Sequence, residues 1–375
     1  MAFRIVARDA ASKARVGVLH TRSGEIETPF FMPVATKTVA KHISSEDLVS
    51  MKAQAIICNA YVLSLRPGEN VIAKAGGIRS FMSFPGIVFT DSGGFQMYSP
   101  SLYLGATEEG VLFRDPYTGE RVAITPEKDI DIQLALQSDV ALCLDSMPLI
   151  EESKEAIREA VRKTTLWAER CKKHHDAQQA PLLLEQRQLL LGIIQGGIHA
   201  ELREQAVRAL LPLDFDGYAI GGLALGEPKK DEYAMIEIVK HLLPDEKPCY
   251  LMGVGSPLEL LEAIARGCDM FDSRFPTKNA RHGTLFSSQG YVRIFNARHT
   301  HELVPIDAAC ECFVCRAYTR AYIRHLLCHG EGVGLRLASY HNLFYLQKLM
   351  QQAREAIKAG TFLQLKEEIA RVYAL

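Results

Sequence analysis

The chain has 375 residues, of which 48% are hydrophobic and 23% charged, and its formal net charge is -1. This composition is typical of a globular protein with a large core, and it argues against a generic nucleic-acid-binding protein that is basic throughout. No apolar run is long enough to span a bilayer, and the N-terminal residues MAFRIVARDA contain no signal-peptide apolar stretch. We therefore expect a cytoplasmic protein without a membrane partner.

The chain begins with a segment of alternating polar and apolar residues, Phe3–Thr28, which predicts a β-hairpin. Eight short apolar runs follow, and several of them end in small or acidic residues. They are FFMPVAT (30–36), AIICNAY (55–61), GIVFTDSGG (86–94), VALCLD (140–145), LGIIQGG (191–197), YAIGG (218–222), CYLMGVG (249–255) and MFDSRF (270–275). Helical stretches separate these runs, among them Ser44–Gln54, Glu127–Gln137, Ser153–His175 and His199–Leu211.

Near-continuous apolar strands that alternate with helices indicate a parallel sheet that is covered on both faces. Eight such strands predict an α/β fold of the (β/α)8 type, a TIM barrel, with the N-terminal hairpin over its closed end. A doubly wound open sheet is the alternative. That fold usually carries one glycine-rich phosphate loop at a switch point, whereas glycines here end several of the strands.

Two further stretches interrupt the alternation of strands and helices. Residues Met97–Val122 contain RDPYTGERV, which predicts a hairpin with its turn at Thr118–Gly119. The second stretch, residues 283–334, follows the eighth strand and contains three cysteines. We therefore divide the chain into a catalytic barrel domain of residues 1–282 and 335–375 and a metal-binding subdomain of residues 283–334.

Three cysteines of this subdomain, Cys310, Cys312 and Cys315, form a C-x-C-x2-C-x25-H array with His341. Three thiolates and one imidazole complete a tetrahedral shell, so we predict one structural Zn2+ per chain, with its last ligand on the closing helix. The alternative is that the four residues lie near one another in sequence by chance. A shell of four protein ligands leaves no open position for water or substrate, and catalysis then has to come from other residues.

Polar residues and glycines stand at the ends of five of the eight strands: Asp91, Asp145, Gln195, Gly222 and Asp272. Taken singly, each of them could be a turn former or a helix cap. Barrel enzymes, however, build their active sites from several loops at the carboxyl ends of the strands. The five positions together therefore predict a binding pocket.

Two stretches of the chain are basic and free of acidic residues. The first, Ser273–His301, includes Arg274, Lys278 and Arg281. The second, Cys312–His329, contains Arg316, Arg320 and Arg324. A solvated helix face would explain the second stretch, but next to a strand-end carboxylate such stretches also favour a polyanionic partner, to which Arg320 and Arg324 would contribute phosphate contacts.

Six motifs together resemble the bacterial-type tRNA-guanine transglycosylases: TDSGGFQ (90–96), IIQGG (193–197), IGGLALGE (220–227), GVGSP (253–257), FPTKNARHG (275–283) and the cysteine–histidine array. They occur in order over nearly the whole chain. The resemblance implies a zinc-containing barrel that replaces guanine at the wobble position of tRNAs with G-U-N anticodons by a 7-deazaguanine. It further implies tRNAs for Asp, Asn, His and Tyr as partners, a role in queuosine synthesis, and a homodimer.

The resemblance also assigns roles to individual residues. Asp272 would be the nucleophile, and Asp91 the general acid and base. The base-binding residues would be Asp91, Ser92, Gly93, Gly94, Phe95, Asp145, Gln195, Gly222 and Leu223. The RNA-binding residues would be Gly253, Val254, Gly255, Ser256, Pro257, Leu258, Glu259, Thr277, Lys278, Asn279, Ala280 and Arg281.

The two carboxylates also agree with the chemistry of base exchange. Replacing one base at ribose C1′ with retained configuration needs two displacements, hence a nucleophilic carboxylate and a second group that moves protons. Asp272 and Asp91 fit these two roles. The donors on guanine, N1–H and the exocyclic amine, call for a carboxylate such as Asp145, while its O6 calls for N–H groups such as those of Gln195 and Gly222.

The chain departs from the family pattern at some positions, and this leaves the incoming base open. Phe95 stands where the family commonly has tyrosine, and Ser146-Met147 follows the recognition carboxylate where Glu-Cys is typical. Leu225 is bulky, which favours the compact 7-aminomethyl-7-deazaguanine (preQ1), whereas Ser146-Met147 leaves queuine as an alternative. A non-catalytic tRNA-binding subunit is a further alternative. A zinc deaminase is not favoured, because its combined H-x-E…P-C-x-x-C signature is absent.

Overall fold

The computed structural model describes residues 2–93, 101–148 and 151–374. Its strands are β1 (Phe3–Arg8), β2 (Arg15–Thr21), β3 (Gly24–Thr28), β4 (Phe30–Pro33), β5 (Ala55–Asn59), β6 (Ile87–Asp91), β7 (Tyr103–Ala106), β8 (Val111–Arg114), β9 (Arg121–Ile124), β10 (Val140–Leu142), β11 (Leu189–Ile194), β12 (Gly217–Ile220), β13 (Cys249–Leu251), β14 (Met270–Ser273), β15 (Thr284–Ser287) and β16 (Gly290–Arg293).

Its α-helices are α1 (Ser45–Ser50), α2 (Ala60–Leu65), α3 (Glu69–Lys74), α4 (Gly77–Met82), α5 (Pro126–Ala135), α6 (Lys154–Gln179), α7 (Ala200–Leu210), α8 (Lys229–Leu242), α9 (Pro257–Ala265), α10 (Phe275–Arg281), α11 (Phe313–Ala317), α12 (Arg320–Cys328), α13 (Gly332–Ala359) and α14 (Phe362–Tyr373). Among the described residues, no helix combines the length and the apolar character that a membrane crossing requires.

Eight parallel strands form the predicted barrel, in the order β4-β14-β13-β12-β11-β10-β6-β5. The two ends of this sheet meet through a parallel bridge between Val34 and Ile57, where the main-chain N–H of Ala35 donates to the carbonyl of Ile57 at 2.7 Å. Each of the eight apolar runs overlaps one barrel strand, so the prediction of a (β/α)8 fold is confirmed. The carboxyl ends of all eight strands therefore lie at one face of the barrel.

The N-terminal segment forms a three-stranded antiparallel sheet, β1-β2-β3, and the prediction of a two-stranded hairpin is wrong in this respect. Phe3, Leu19 and Ile26 of this sheet are buried in one cluster with barrel-interior residues such as Met32 and Phe89. The sheet thus covers one end of the barrel with apolar side chains, which stabilise it by removing apolar surface from water.

The predicted helices occur near their expected positions but end differently. α1 stops at Ser50 instead of Gln54, because Lys52 adopts a positive φ of 59°. In the same way α5 ends before Gln137, whose φ is 56°, while α6 continues to Gln179. A helix cannot continue through a residue in the left-handed region, and no sequence pattern marked these two positions.

The two predicted insertions are both present. β8 and β9 form a hairpin whose turn contains Gly119, with the main-chain N–H of Asp115 donating to the carbonyl of Glu120 at 2.8 Å. β7 adds a third antiparallel strand. After β14 and α10, the pair β15–β16 and helices α11 and α12 form the cysteine-containing region, and α13 returns the chain to the barrel.

Candidate active site

The structure brings the predicted strand-end residues to one face of the barrel. Asp91 is the last residue of β6, and Asp272 lies one residue before the end of β14. Asp145, Gln195 and Gly222 follow β10, β11 and β12 within a few residues. Since these strands are parallel neighbours in one sheet, the five residues share the carboxyl-end face of the barrel.

Asp272 accepts two hydrogen bonds through its Oδ1 atom. The Tyr250 hydroxyl donates to it at 2.5 Å, and the main-chain N–H of Gly253 donates at 3.0 Å. Burial raises the pKa of Asp272, while these two donors act in the opposite direction by stabilising the carboxylate. The second carboxylate oxygen accepts no hydrogen bond from the described residues, which leaves it available for attack on a substrate atom.

Asp91 is held by the side-chain amide of Asn59, which donates to its Oδ1 at 2.7 Å, and by the main-chain N–H of Gly93 at 2.8 Å. Burial raises the pKa of Asp91 to about 8, and the negative charge of Asp272 adds to the shift. A carboxyl with this pKa exchanges protons readily near neutral pH. Asp91 therefore has the properties of a general acid and base.

Asp145 is buried and bound by two neighbouring side chains. The Gln195 amide donates to its Oδ2 at 2.6 Å, and the Ser92 hydroxyl lies 3.4 Å from its Oδ1. Burial raises the pKa of Asp145 to about 6, so that the group is mainly ionised at neutral pH. The Gln195 carbonyl oxygen Oε1 is buried and has no partner among the described residues. An ionised carboxylate and a free amide oxygen together suit a ligand that carries several N–H donors.

Gly222 has a φ of +64°, and a side chain at this position would not fit. A Cβ atom here would lie 2.4 Å from the Gln195 Oε1 atom, well inside van der Waals contact. The loop continues with Leu223 and ends at Glu227, whose carboxylate accepts from the main-chain N–H groups of Ala224 and Leu225 at 2.5 and 2.9 Å. Glycine therefore lets the main chain approach the Gln195 side chain closely.

Two predicted base-binding residues, Gly94 and Phe95, lie outside the described residues. Two further residues at the site were not singled out from the sequence. Tyr250, in β13, and Asn59, the last residue of β5, contact Asp272 and Asp91, respectively. Asn59 is a polar residue at a strand end, so the pattern that identified Asp91 also applies to it. Tyr250 carried no such signal.

The predicted RNA-binding segment 253–259 lies mostly inside the protein. Gly253 is exposed beside Asp272, and Leu258 and Glu259 are half-buried. Glu259 pairs with Lys229 at 2.8 Å. The remaining four residues are buried: Val254, Gly255, Ser256 and Pro257. Gly253 is therefore the most accessible residue of the segment, and the four buried residues offer little surface to a macromolecule.

Helix α10 directs cations toward the same face. Lys278 is exposed, Asn279 and Arg281 are half-buried, and Thr277 and Ala280 are buried. Neither Lys278 nor Arg281 forms an ion pair with a carboxylate of the described residues.

The positive charge of α10 adds to that of the loop after β4. Burial and then the charge of Arg274 lower the pKa of Arg281. Burial, Arg281 and Lys41 lower the pKa of His42. Arg281 thus lies close enough to Arg274 and to His42 for repulsion between like charges, which an anionic backbone would relieve.

The second basic stretch is less accessible than the sequence suggested. Arg320 donates to the Glu302 carboxylate at 3.0 Å and to the carbonyl of Ile306 at 2.8 Å. Arg324 donates to the carbonyl of Phe295 at 3.4 Å. The Arg320 guanidinium is thus engaged within the cysteine-containing region of the free protein, and phosphate contacts from Arg320 and Arg324 stay predictions.

Cys310, Cys312, Cys315 and His341 form a largely buried cluster that could bind a metal ion, with ligand atoms all within 4.8 Å of one another. The three Sγ atoms lie 3.9, 3.5 and 3.3 Å from His341 Nδ1. A tetrahedral ion with Zn–S and Zn–N bonds of roughly 2.3 and 2.0 Å would require S–N separations of about 3.6 Å. The other ring nitrogen, Nε2, donates to the carbonyl of Phe286 at 2.7 Å and so leaves Nδ1 free as a ligand. The residues therefore fit a tetrahedral metal.

Comparison with known proteins assigns this arrangement to one family. The family model described as "Queuine tRNA-ribosyltransferase" matches residues 9–375. A protein of that name from Halothermothrix orenii is 43% identical over 373 residues, which are 100% of this chain and 98% of the relative. Relatives from Staphylococcus aureus and Geobacillus kaustophilus, with the same name, are 46% and 44% identical over 364 and 371 residues, covering 97% and 99% of this chain and 94% and 96% of theirs.

Proposed function

Because the chain belongs to the queuine tRNA-ribosyltransferase family, whose members are transferases, we propose that it exchanges guanine for a 7-deazaguanine at the wobble position of tRNA. Its substrates would be tRNAs with G-U-N anticodons, those for Asp, Asn, His and Tyr. The observation that carries the proposal is the pair Asp272 and Asp91, two carboxylates at one barrel face that differ in their hydrogen-bond donors and in their proton affinity.

The reaction proceeds by two displacements. In the first, a carboxylate oxygen of Asp272 forms a bond to ribose C1′ while the bond from C1′ to guanine N9 breaks. Guanine leaves with the bonding electron pair and takes up a proton from Asp91. In the second, the incoming base gives its N9 proton to Asp91, and its N9 attacks C1′ and displaces the Asp272 carboxylate. Atoms and charges balance, and Asp91 returns to its starting state.

The neighbours of Asp272 and Asp91 suit these steps. The Tyr250 hydroxyl and the Gly253 N–H stabilise the ionised Asp272 that attacks and is later released. The raised pKa of Asp91, about 8, keeps it protonated at neutral pH, as the departing guanine requires. Because two neighbouring negative charges repel each other, the pair of carboxylates holds one proton at neutral pH. That proton resides on Asp91, and Asp272 is ionised.

The base would lie between the ionised Asp145 and the loop at Gly222. Asp145 accepts from the N1–H and the exocyclic amine, and main-chain N–H groups of the loop face O6. Phe95 would stack on the ring, and Gly94 would adjoin it. Leu225, which is half-buried in the loop, fills space that a bulky cyclopentenediol would need, so we assign preQ1 as the incoming base and queuine as the second candidate.

The RNA would lie across the cations of α10, with Gly253 at the ribose and with Lys278 and Arg281 beside the flanking nucleotides. The metal cluster would hold one structural Zn2+, which closes the shell of three thiolates and one imidazole and supplies folding free energy to this region. We also assign a homodimer, which is supported by the exposed apolar side chains of Leu303, Val304 and Tyr322 in the stretch 283–334.

Incorporation of labelled guanine, preQ1 and queuine into unmodified tRNA-Tyr tests the proposal, with Asp272→Asn as the control variant. We expect efficient use of preQ1 that is lost in the control. Preference for queuine would overturn the assignment of the incoming base. Binding of tRNA without exchange of any base would identify the chain as a non-catalytic subunit.

A further inference from the structure

Arg203 is a fully buried arginine that takes no part in the reaction steps above. It belongs to α7, and its guanidinium lies under the ends of β11 and β12. Nε donates to the carbonyl of Gly197 at 2.9 Å, and Nη1 donates to the carbonyls of Ile194 and Gly221 at 2.7 and 2.8 Å. Nη2 donates to the carbonyl of Gly222 at 3.3 Å. One side chain thus binds the main chain after both strands that border the base pocket.

Keeping a charged side chain here is costly. Arg203 forms no ion pair with a carboxylate of the described residues, and burial lowers its pKa to about 9, against a smaller opposing effect of Glu227. The packing is also tight, since a Cβ atom at Gly196 would lie 2.8 Å from the main-chain nitrogen of Arg203. An apolar side chain would fill this space at lower cost, so the hydrogen bonds themselves are what the arginine provides.

These hydrogen bonds determine the direction of two peptide groups. In a trans peptide the C=O of one residue and the N–H of the next point in opposite directions. With the carbonyls of Gly221 and Gly222 turned toward Arg203, the N–H groups of Gly222 and Leu223 point away from it. Neither N–H donates a hydrogen bond to any residue of the described chain.

The next two N–H groups along the loop are not available in this way. Those of Ala224 and Leu225 both donate to the carboxylate of Glu227. The Arg203 guanidinium therefore binds the carbonyls at the start of the loop, and the Glu227 carboxylate binds two amides further along it. Between the two contacts, Gly222 and Leu223 present a pair of adjacent, unpaired main-chain donors.

We propose that Arg203 is a positioning residue for base recognition: it orients the Gly222 and Leu223 N–H groups toward the O6 acceptor of the purine. The inference rests on the proposed function, because it takes guanine or a 7-deazaguanine as the ligand. Arg203 touches neither base nor ribose. It acts through the direction of the two peptide groups, and it makes the loop selective for a base that carries an acceptor at position 6.

The test compares the binding of guanine with that of 2-aminopurine, which keeps the ring and the exocyclic amine but lacks O6 and the N1–H. The loss of the N1–H is common to wild type and variant, so a change in preference between them reports the contact with O6. Wild-type protein should bind guanine more tightly, and Arg203→Lys should reduce that preference about tenfold, the contribution of one hydrogen bond. Arg15→Lys is the matched control, since Arg15 is also buried and also donates to two main-chain carbonyls, in its case those of Asp245 and Lys247. Its preference for guanine should be unchanged.

The outcomes separate the inference from the proposed function. An unchanged preference in Arg203→Lys, or an equal loss in Arg15→Lys, would overturn the positioning role while base exchange by the wild type stands. Absence of any base exchange by the wild type would instead remove the proposed function.

If Arg203→Lys does not fold, amide hydrogen exchange of the wild-type protein tests whether the Gly222 and Leu223 N–H groups are free and then bind the base. The Gly222 and Leu223 amides should exchange faster than those of Ala224 and Leu225 in the free protein and become protected when guanine is added. Protection of these two amides before guanine is added, or no change on its addition, would contradict the proposal.

Discussion

Asp272 and Asp91 are the same kind of side chain, and their neighbours give them different chemistry. Burial raises the pKa of both. Asp272 faces the hydroxyl of Tyr250, whose O–H is a strong, short donor at 2.5 Å, whereas Asp91 also experiences the negative charge of Asp272. The consequence is that one carboxyl is better suited to remain ionised and the other to hold a proton.

The first prediction concerns Tyr250. Replacing Tyr250 by Phe removes a donor that stabilises the ionised form of Asp272, so the pKa of Asp272 rises further. Asp272 attacks only when ionised, and attack is lost as pH falls through its pKa. We therefore expect the acidic limb of the pH–rate profile to move to higher pH and the single-turnover rate at neutral pH to fall about tenfold.

The basic limb provides the control for this variant. It reports the loss of the Asp91 proton near pH 8 and should stay in place in Tyr250→Phe. Equal displacement of both limbs, or no displacement of the acidic limb, would contradict the role given to Tyr250.

At the scale of secondary-structure elements, α10 joins β14, which carries Asp272, to the exposed cation Lys278. It begins three residues after Asp272, and the intervening Ser273 hydroxyl donates to the carbonyl of Gly253 at 2.9 Å while accepting from the Phe275 N–H at 3.0 Å. A displacement of α10 would therefore reach the Gly253 loop that contacts Asp272.

The second prediction concerns the cations of α10. Lys278→Ala and Arg281→Ala should each weaken tRNA binding and reduce the slope of log K against log salt by about 0.7, the value for one phosphate contact with single-stranded RNA. Arg4→Ala is the control, because Arg4 is exposed on the N-terminal sheet at the closed end of the barrel. Filter-binding titrations at several salt concentrations measure the slope. Identical slopes in all four proteins would show that α10 does not contact phosphates.

The third prediction concerns the metal cluster and α13. His341 is followed by Asn342, whose side-chain amide donates to the carbonyls of Pro276 in α10 and Thr284 in β15, both at 3.0 Å. Cys312→Ala should therefore abolish metal binding, lower the melting temperature and raise the KM for tRNA more than it lowers kcat. Metal content, thermal unfolding and steady-state kinetics measure these effects.

Cys328→Ala is the matched control for the metal site, since Cys328 is exposed and lies outside the cluster. It should retain the metal content and the melting temperature of the wild type. Full metal content in Cys312→Ala, or loss of kcat with unchanged KM for tRNA, would contradict a structural role of the metal in supporting α10.

At the scale of the whole molecule, Asp91 and Asp272 lie at the carboxyl-end face of the barrel, and a buried ion pair lies at the opposite, closed end. At the closed end Arg15 pairs with Asp269 at 2.7 Å, and both side chains are buried. Asp269 also accepts from the main-chain N–H of Cys249 at the start of β13. This pair links the N-terminal sheet to the starts of β13 and β14, the strands that supply Tyr250 and Asp272.

The fourth prediction follows from this buried pair. Arg15→Met leaves the Asp269 carboxylate buried without its cation, and we expect a loss of about 3–5 kcal/mol in the free energy of unfolding. Arg8→Met, which breaks an exposed pair with Asp245, should lose about 0–1 kcal/mol. Denaturant titrations measure both values. Equal small losses would show that the Arg15 pair does not tie the sheet to the barrel.

The barrel and most of its strand-end residues could be predicted from the sequence, because buried parallel strands appear as near-continuous apolar runs. Asp91 and Asp272 stand at the ends of such runs. The third strand of the N-terminal sheet, GEIET, was missed because five alternating residues after a two-residue turn carry little signal. Tyr250 and Arg203 were missed because their roles depend on contacts between separate strands and loops, which no local pattern records.

Formation of a covalent RNA–enzyme intermediate at Asp272 is the central claim of this mechanism. The most direct test incubates the protein with unmodified tRNA-Tyr, separates the products under denaturing conditions and maps any cross-linked peptide by mass spectrometry. We expect an adduct on the peptide that contains Asp272, which disappears when preQ1 is added and is absent in Asp272→Asn. An adduct on another residue, or exchange of the base without an adduct in the wild type and with full activity in Asp272→Asn, would contradict the mechanism.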